Sequence, residues 1–203
     1  MSLFSRSPQR RTTSTEGELA HHSTATKALH AALLTCILWQ LVFVQLAERP
    51  RVDRPGNLFF TIHEWVGLVT FGLVVIFWLW SVVRHAETPV GMMFPWLSAR
   101  RLAALGADLR AHWGELRRLR LPDTGDAIPL ASAVHGLGLL VALAMGATGA
   151  WMFTMSIPGG LVLKVHRTIA NLLWAFVIGH AALAVLHQWA GHRVLRRMFG
   201  SAQ

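Results

Sequence analysis

Four stretches dominated by apolar residues, 28–47, 59–83, 130–153 and 165–190, leave this 203-residue chain few architectures to choose from. Each holds about 20 or more residues, enough at ~1.5 Å per residue to cross a ~30 Å hydrocarbon layer as a helix. Within such a layer only helices and closed barrels satisfy their own backbone, so the spacing predicts an all-α, integral membrane four-helix bundle. Composition agrees, with 53% hydrophobic and 14% charged residues and a mean hydropathy of +0.43. The length leaves room for one bundle and no second domain. Residues 27–198 are expected to form it, followed by a short tail at 199–203. Segment 1–26 is polar, rich in Ser and Thr, and lacks the apolar core of a cleaved signal peptide, so it reads as a disordered cytoplasmic tail.

The formal charge of +9 has its meaning in where the basic residues fall. Fourteen of the 19 Lys and Arg lie before the first span, between the second and third, or after the fourth; four lie in the other two connections and Arg167 lies at the start of the fourth span, on their side. The positive-inside rule then places both termini in the cytoplasm of a multi-pass protein of a bacterial inner membrane. This reading accounts for the basic residues through membrane topology and the lipid bilayer, with no nucleic acid as partner.

Between spans two and three the run SARRLAALGADLRAHWGELRRLR carries Leu102, Leu105, Leu109, Trp113 and Leu116 at steps of three and four. Arg101, Arg110, Arg117 and Arg118 lie largely off that face. An additional amphipathic helix is expected here, lying on the anionic cytoplasmic leaflet, with docking of a soluble redox partner as its other use. Pro122 and Pro129 then break the chain before the third span. The single cysteine, Cys36, reads as a small buried hydrophobe. No CxxCH sequence is present, so any haem is b-type, held by coordination and packing.

An imidazole in hydrocarbon costs free energy without a partner, and histidines recur in every span: His30, His63, His135, His166 and His180. Axial ligation of haem iron from facing helices gives them a common purpose. His166 and His180 are separated by ~21 Å along one helix and fall within ~40° of the same face. One helix can thus give a ligand to each of two haems at different depths. His63 is level with His166 at the outer end, while His30 is level with His180 near the inner end. His135 lies at the same inner depth and competes with His30, a choice that spacing leaves open. His187, seven residues beyond His180, is placed with His135 to hydrogen-bond a quinone carbonyl or exchange its proton. Glu64 and Arg167, each beside a proposed ligand, can orient an imidazole, and Arg167 and Lys164 can meet haem propionates.

The segments KALHAALL, VDRPGNLFFTIHEWVG, VHGLGLLVALAMGATGAW and HRTIANLLWAFVIGHAALAVLHQW, closing on VLRRM, resemble the bacterial cytochrome b561 family of four-helix, di-haem, quinone-linked proteins. The similarity runs over about 27–198. It implies His30 and His180 on an inner haem b, His63 and His166 on an outer one, and His135 and His187 near ubiquinone. The long 92–126 connection looks more like that of b-type cytochrome subunits of hydrogenases and related reductases. The resemblance therefore implies either of two functions. One is quinone-linked electron transfer, including superoxide oxidation with ubiquinone as acceptor, in which Arg49, Arg51, Arg54 and Lys164 attract the anion. The other is a membrane-anchoring subunit that passes electrons between a soluble dehydrogenase or c-type cytochrome and the quinone pool.

Overall fold

The computed structural model describes residues 23–83, 90–118 and 129–191, together with 198. The expectations for 1–22, for the 199–203 tail and for the basic residues 193–197 lie outside the described residues. Among the described residues six α-helices run in order: α1 (Thr24–Phe43), α2 (Leu58–Val83), the short α3 (Val90–Met93), α4 (Ala99–Arg117), α5 (Pro129–Phe153) and α6 (Gly160–Trp189). Helices α1, α2, α5 and α6 are long and apolar enough to cross a membrane. Their outward faces carry Val69, Leu79, Leu172, Ile178 and Leu183, all more than half exposed. Such a surface is suited to lipid and costly in water.

Helix starts depart from the hydropathy boundaries where polar residues cap them. The Ser23 hydroxyl accepts from the Thr26 amide at 3.3 Å and opens α1 four residues before the apolar run. Asn57 opens α2, its Oδ1 accepting the amides of Phe60 and Glu48 at 3.0 Å and its Nδ2 donating to the Leu46 carbonyl at 2.9 Å. Helix α6 begins at Gly160, whose φ of +66° is open to glycine at little cost. Within the spans, Thr35, Thr70, Thr148 and Thr168 donate to the carbonyl four residues back, so their hydroxyls are not left bare in hydrocarbon.

Side-chain contacts fix an antiparallel order. Trp80 near the end of α2 donates to Thr26 at the start of α1, and Gln40 late in α1 donates to the His63 carbonyl early in α2. Trp65 meets Phe153 edge-on, joining the start of α2 to the end of α5. The core lies between three of the four spans: Leu33 of α1, Val74 and Phe77 of α2, and Ala142 of α5. Helix α6 packs chiefly on α5 and contributes Leu173 to the buried set. Close approach is bought with small residues: a Cβ at Gly138 would strike Phe176 of α6, and one at Gly146 would strike Phe71 of α2.

The connection between α2 and α5 contains a helix where the sequence pattern predicts one, with most of its apolar face outside the bundle. The side packed inward is Leu105, Asp108, His112 and Glu115, all half-buried, while Leu102, Leu109 and Trp113 remain more than half exposed. Asp108 explains the orientation, because its carboxylate accepts the Leu130 amide at 2.9 Å and so supplies an acceptor to the first turn of α5.

Candidate functional site: two groups of imidazoles

The antiparallel order sorts the histidines by depth. His63, five residues into α2, and His166, six residues into α6, stand at one end of the bundle. Their ring centroids are 6.5 Å apart with planes at 88°. Two imidazoles on opposite sides of one metal ion, at about 2 Å per metal–nitrogen bond, have centroids about 6 Å apart. The observed spacing fits that requirement. Both side chains are half-buried.

Each member of this pair is held by a residue on a neighbouring helix. Gln40 Nε2 donates to the His63 carbonyl at 2.8 Å, in a space that exists because Gly67 has no side chain. Thr148 Oγ1 lies 2.8 Å from His166 Nδ1, and the adjacent Gly149 leaves room for the ring. Gln40 and Thr148 are not among the residues that the sequence pattern singles out, which are Glu64 and Arg167, for orienting an imidazole or pairing with propionates. Arg167 and Lys164 are exposed on α6, three residues apart and beside His166. A small polar residue facing a proposed ligand across a helix pair was the available signal, but its partner is set by packing.

At the other end, three imidazoles gather. His30 and His135 both lie near His180. His135 and His180 have centroids 5.0 Å apart with planes at 87°, and Phe176 stacks on His180 at 5.5 Å and 13°. His135 is exposed, and its Nδ1 lies 2.7 Å from the Ala131 carbonyl, which can only accept. The imidazole therefore donates from Nδ1, and in the neutral ring Nε2 keeps its lone pair. His187 lies seven residues beyond His180 with its Nδ1 buried.

Among the described residues no set of three or more His, Cys, Asp or Glu is arranged to hold a bare metal ion. Imidazoles in facing pairs suit a different acceptor, an iron whose macrocycle already supplies the equatorial nitrogens and needs axial ligands alone. Fold and donors together define a multi-pass helical membrane protein that presents imidazoles from facing helices at two depths. The model of the family described as prokaryotic cytochrome b561 matches residues 21–201, and the chain belongs to that family. It is thereby a haem b protein of transmembrane electron transfer. No curated protein and no solved structure matches the chain.

Proposed function

We propose that the protein carries two haems b in the bacterial inner membrane, with both termini cytoplasmic, and exchanges electrons with ubiquinone. The observation that supports this most is the facing pair His63 and His166 at 6.5 Å, with a second group around His180 at the other end of the same helix. In this reading His63 and His166 hold the outer haem, and His30 and His180 hold the inner one. The 5.0 Å spacing of His135 from His180 is short for two ligands across one iron, which favours His30 for the second axial position. Lys164 and Arg167, exposed next to His166, are placed to pair with propionates.

When bound, bis-histidine haem supplies one-electron transfer with no open coordination position. The remaining work falls to residues at the inner end. His135, exposed, donates from Nε2 to a quinone oxygen when its ring is protonated and accepts from a quinol hydroxyl when it is neutral, and His187, seven residues beyond His180 on the same helix face, lines the same headgroup site. Reduction of a quinone to a quinol takes up two electrons and two protons, and an imidazole open to the aqueous side can relay the protons.

Pyridine haemochrome assay of the purified protein is expected to give two haems b per chain. His63→Ala and His166→Ala should remove the same low-spin signal in electron paramagnetic resonance, and His30→Ala and His180→Ala the other. A fully loaded protein with one haem, or His135→Ala acting as His180→Ala does while His30→Ala keeps both signals, would overturn the assignment.

A further inference from the structure

Thr148 lies on α5 near its outer end, half-buried, with its hydroxyl oxygen in three short contacts. The Ala144 carbonyl is at 2.9 Å, the Met145 carbonyl at 3.0 Å and His166 Nδ1 at 2.8 Å. A hydroxyl has one proton to give and lone pairs to receive. Both carbonyls can only accept, so the proton belongs with them. The contact to the imidazole is then made the other way, with the His166 Nδ1–H donating to the Thr148 oxygen. A neutral imidazole has a single N–H, and with that proton on Nδ1 the lone pair is on Nε2.

We infer that Thr148 is the positioning residue of His166: it selects the tautomer whose Nε2 can bind metal, fixes the ring plane, and lowers the reduction potential of the haem that His166 holds. Three observations converge on this role. Helix α6 packs chiefly on α5, so a bond from α5 sets the ring against the helix that carries it. Gly149 sits under the same ring edge, where a Cβ would come within 3.3 Å of His166 Cε1, so the ring is confined on that side. The His63 ring stands 6.5 Å away and perpendicular, an arrangement that depends on the plane in which His166 is held.

An acceptor for the distal N–H makes a ligating imidazole a stronger donor to the metal, which favours the ferric over the ferrous state. Losing it should raise the midpoint potential. Outer partners of ligating histidines change metal-site properties by about tenfold or more. A tenfold change in the ferric-to-ferrous preference corresponds to about 59 mV for a one-electron couple.

The inference rests on His166 being an iron ligand, and the test separates the two claims. Redox titration and low-temperature electron paramagnetic resonance are run on the haem-loaded protein carrying Thr148→Val, Thr148→Ser or His166→Ala. His166→Ala is expected to remove one low-spin signal; if both signals survive, the ligand assignment itself fails. With that signal identified, Thr148→Val, which keeps the shape and removes the hydroxyl, should raise the potential of the same haem by about 59 mV and displace its signal. Thr148→Ser should restore both to wild-type values. Unchanged potential and signal in Thr148→Val, or an equal shift in Thr148→Ser, would overturn the positioning role. Should Thr148→Val lose the haem altogether, retention at wild-type potential in Thr148→Ser supports the role and loss in both overturns it.

Discussion

Gln40 shows how one polar side chain in a span can tether a residue on another helix, here the proposed ligand His63. Its amide nitrogen binds the His63 carbonyl, while its Oε1 is buried with no partner among the described residues. A typical net hydrogen bond contributes about 1 kcal/mol, and a buried acceptor without a donor costs about 1–3 kcal/mol, so the two terms oppose each other. Replacing Gln40 by Met should therefore change thermal stability in detergent little, within about 1 kcal/mol, because similar volume is kept and both effects are removed. The outer haem signal should nevertheless broaden or shift, since the His63 turn loses its tether. Gly67→Ala is a second route to the same state, because the new Cβ would come within 2.8 Å of Gln40 Nε2 and displace it. Helix propensity favours Ala by about 1 kcal/mol, so this variant should be no less stable while reproducing the Gln40→Met spectrum. A wild-type spectrum in both would leave Gln40 with a packing role alone. At the inner end, Ala at both His135 and His187 should leave the haem spectra intact and slow haem oxidation by a soluble quinone analogue by roughly tenfold or more, read by stopped flow. Unchanged kinetics would remove these two residues from the quinone reading.

Among the elements, α4 leaves most of its patterned apolar face outside the bundle. Its apolar positions Leu102, Leu109 and Trp113 point away from the bundle, and the half-buried side is anchored by Asp108. An exposed apolar stripe flanked by Arg100, Arg101, Arg110 and Arg117 fits the headgroup region of an anionic leaflet, where apolar burial and charge attraction act together. Asp108 makes the attachment specific by accepting an amide in the first turn of α5 and lying 3.1 Å from His112 Nδ1. Removing such an acceptor typically costs about 1 kcal/mol. Asp108→Ala should thus lower the melting temperature by a few degrees and increase protease cleavage in the 99–118 segment, while Asp108→Asn, which keeps an acceptor oxygen, should do so less. Equal cleavage of Asp108→Ala and wild type would mean that α4 is held by other contacts.

For the whole molecule, the four spans among the described residues put both ends of the bundle on one side, and the proposed reading takes the side richer in Lys and Arg as cytoplasmic. A reporter active only outside the cytoplasm, inserted at the tight 51–54 turn, is expected to be active, and the same reporter at the C terminus inactive. The reverse pattern would invert the topology. The α1–α2 connection carries its own bracing: Arg51 and Arg54 pair through their backbones, Arg54 approaches Glu48 at 3.4 Å, and Arg49 donates to the Pro158 carbonyl at 2.9 Å. That last bond ties the α1–α2 connection to the α5–α6 connection, over the end of the bundle where His63 and His166 stand.

The sequence by itself determined the number of spans, their approximate bounds and the depth of each histidine. Hydropathy reports length against a bilayer, and helical rise converts residue spacing into depth. It also carried the family resemblance, which the match over 21–201 bears out. Tertiary structure alone decided which side chains meet across helices. Asp108 became a cap because a remote amide arrived beside it, and Thr148 met His166 because α6 packs on α5. The inward face of α4 was likewise hidden from the pattern, since an apolar stripe that would sink into a protein core can sink equally well into lipid. Periodicity along one helix records which residues share a face; it holds no information on what stands opposite, and that is settled by how the helices are arranged around one another.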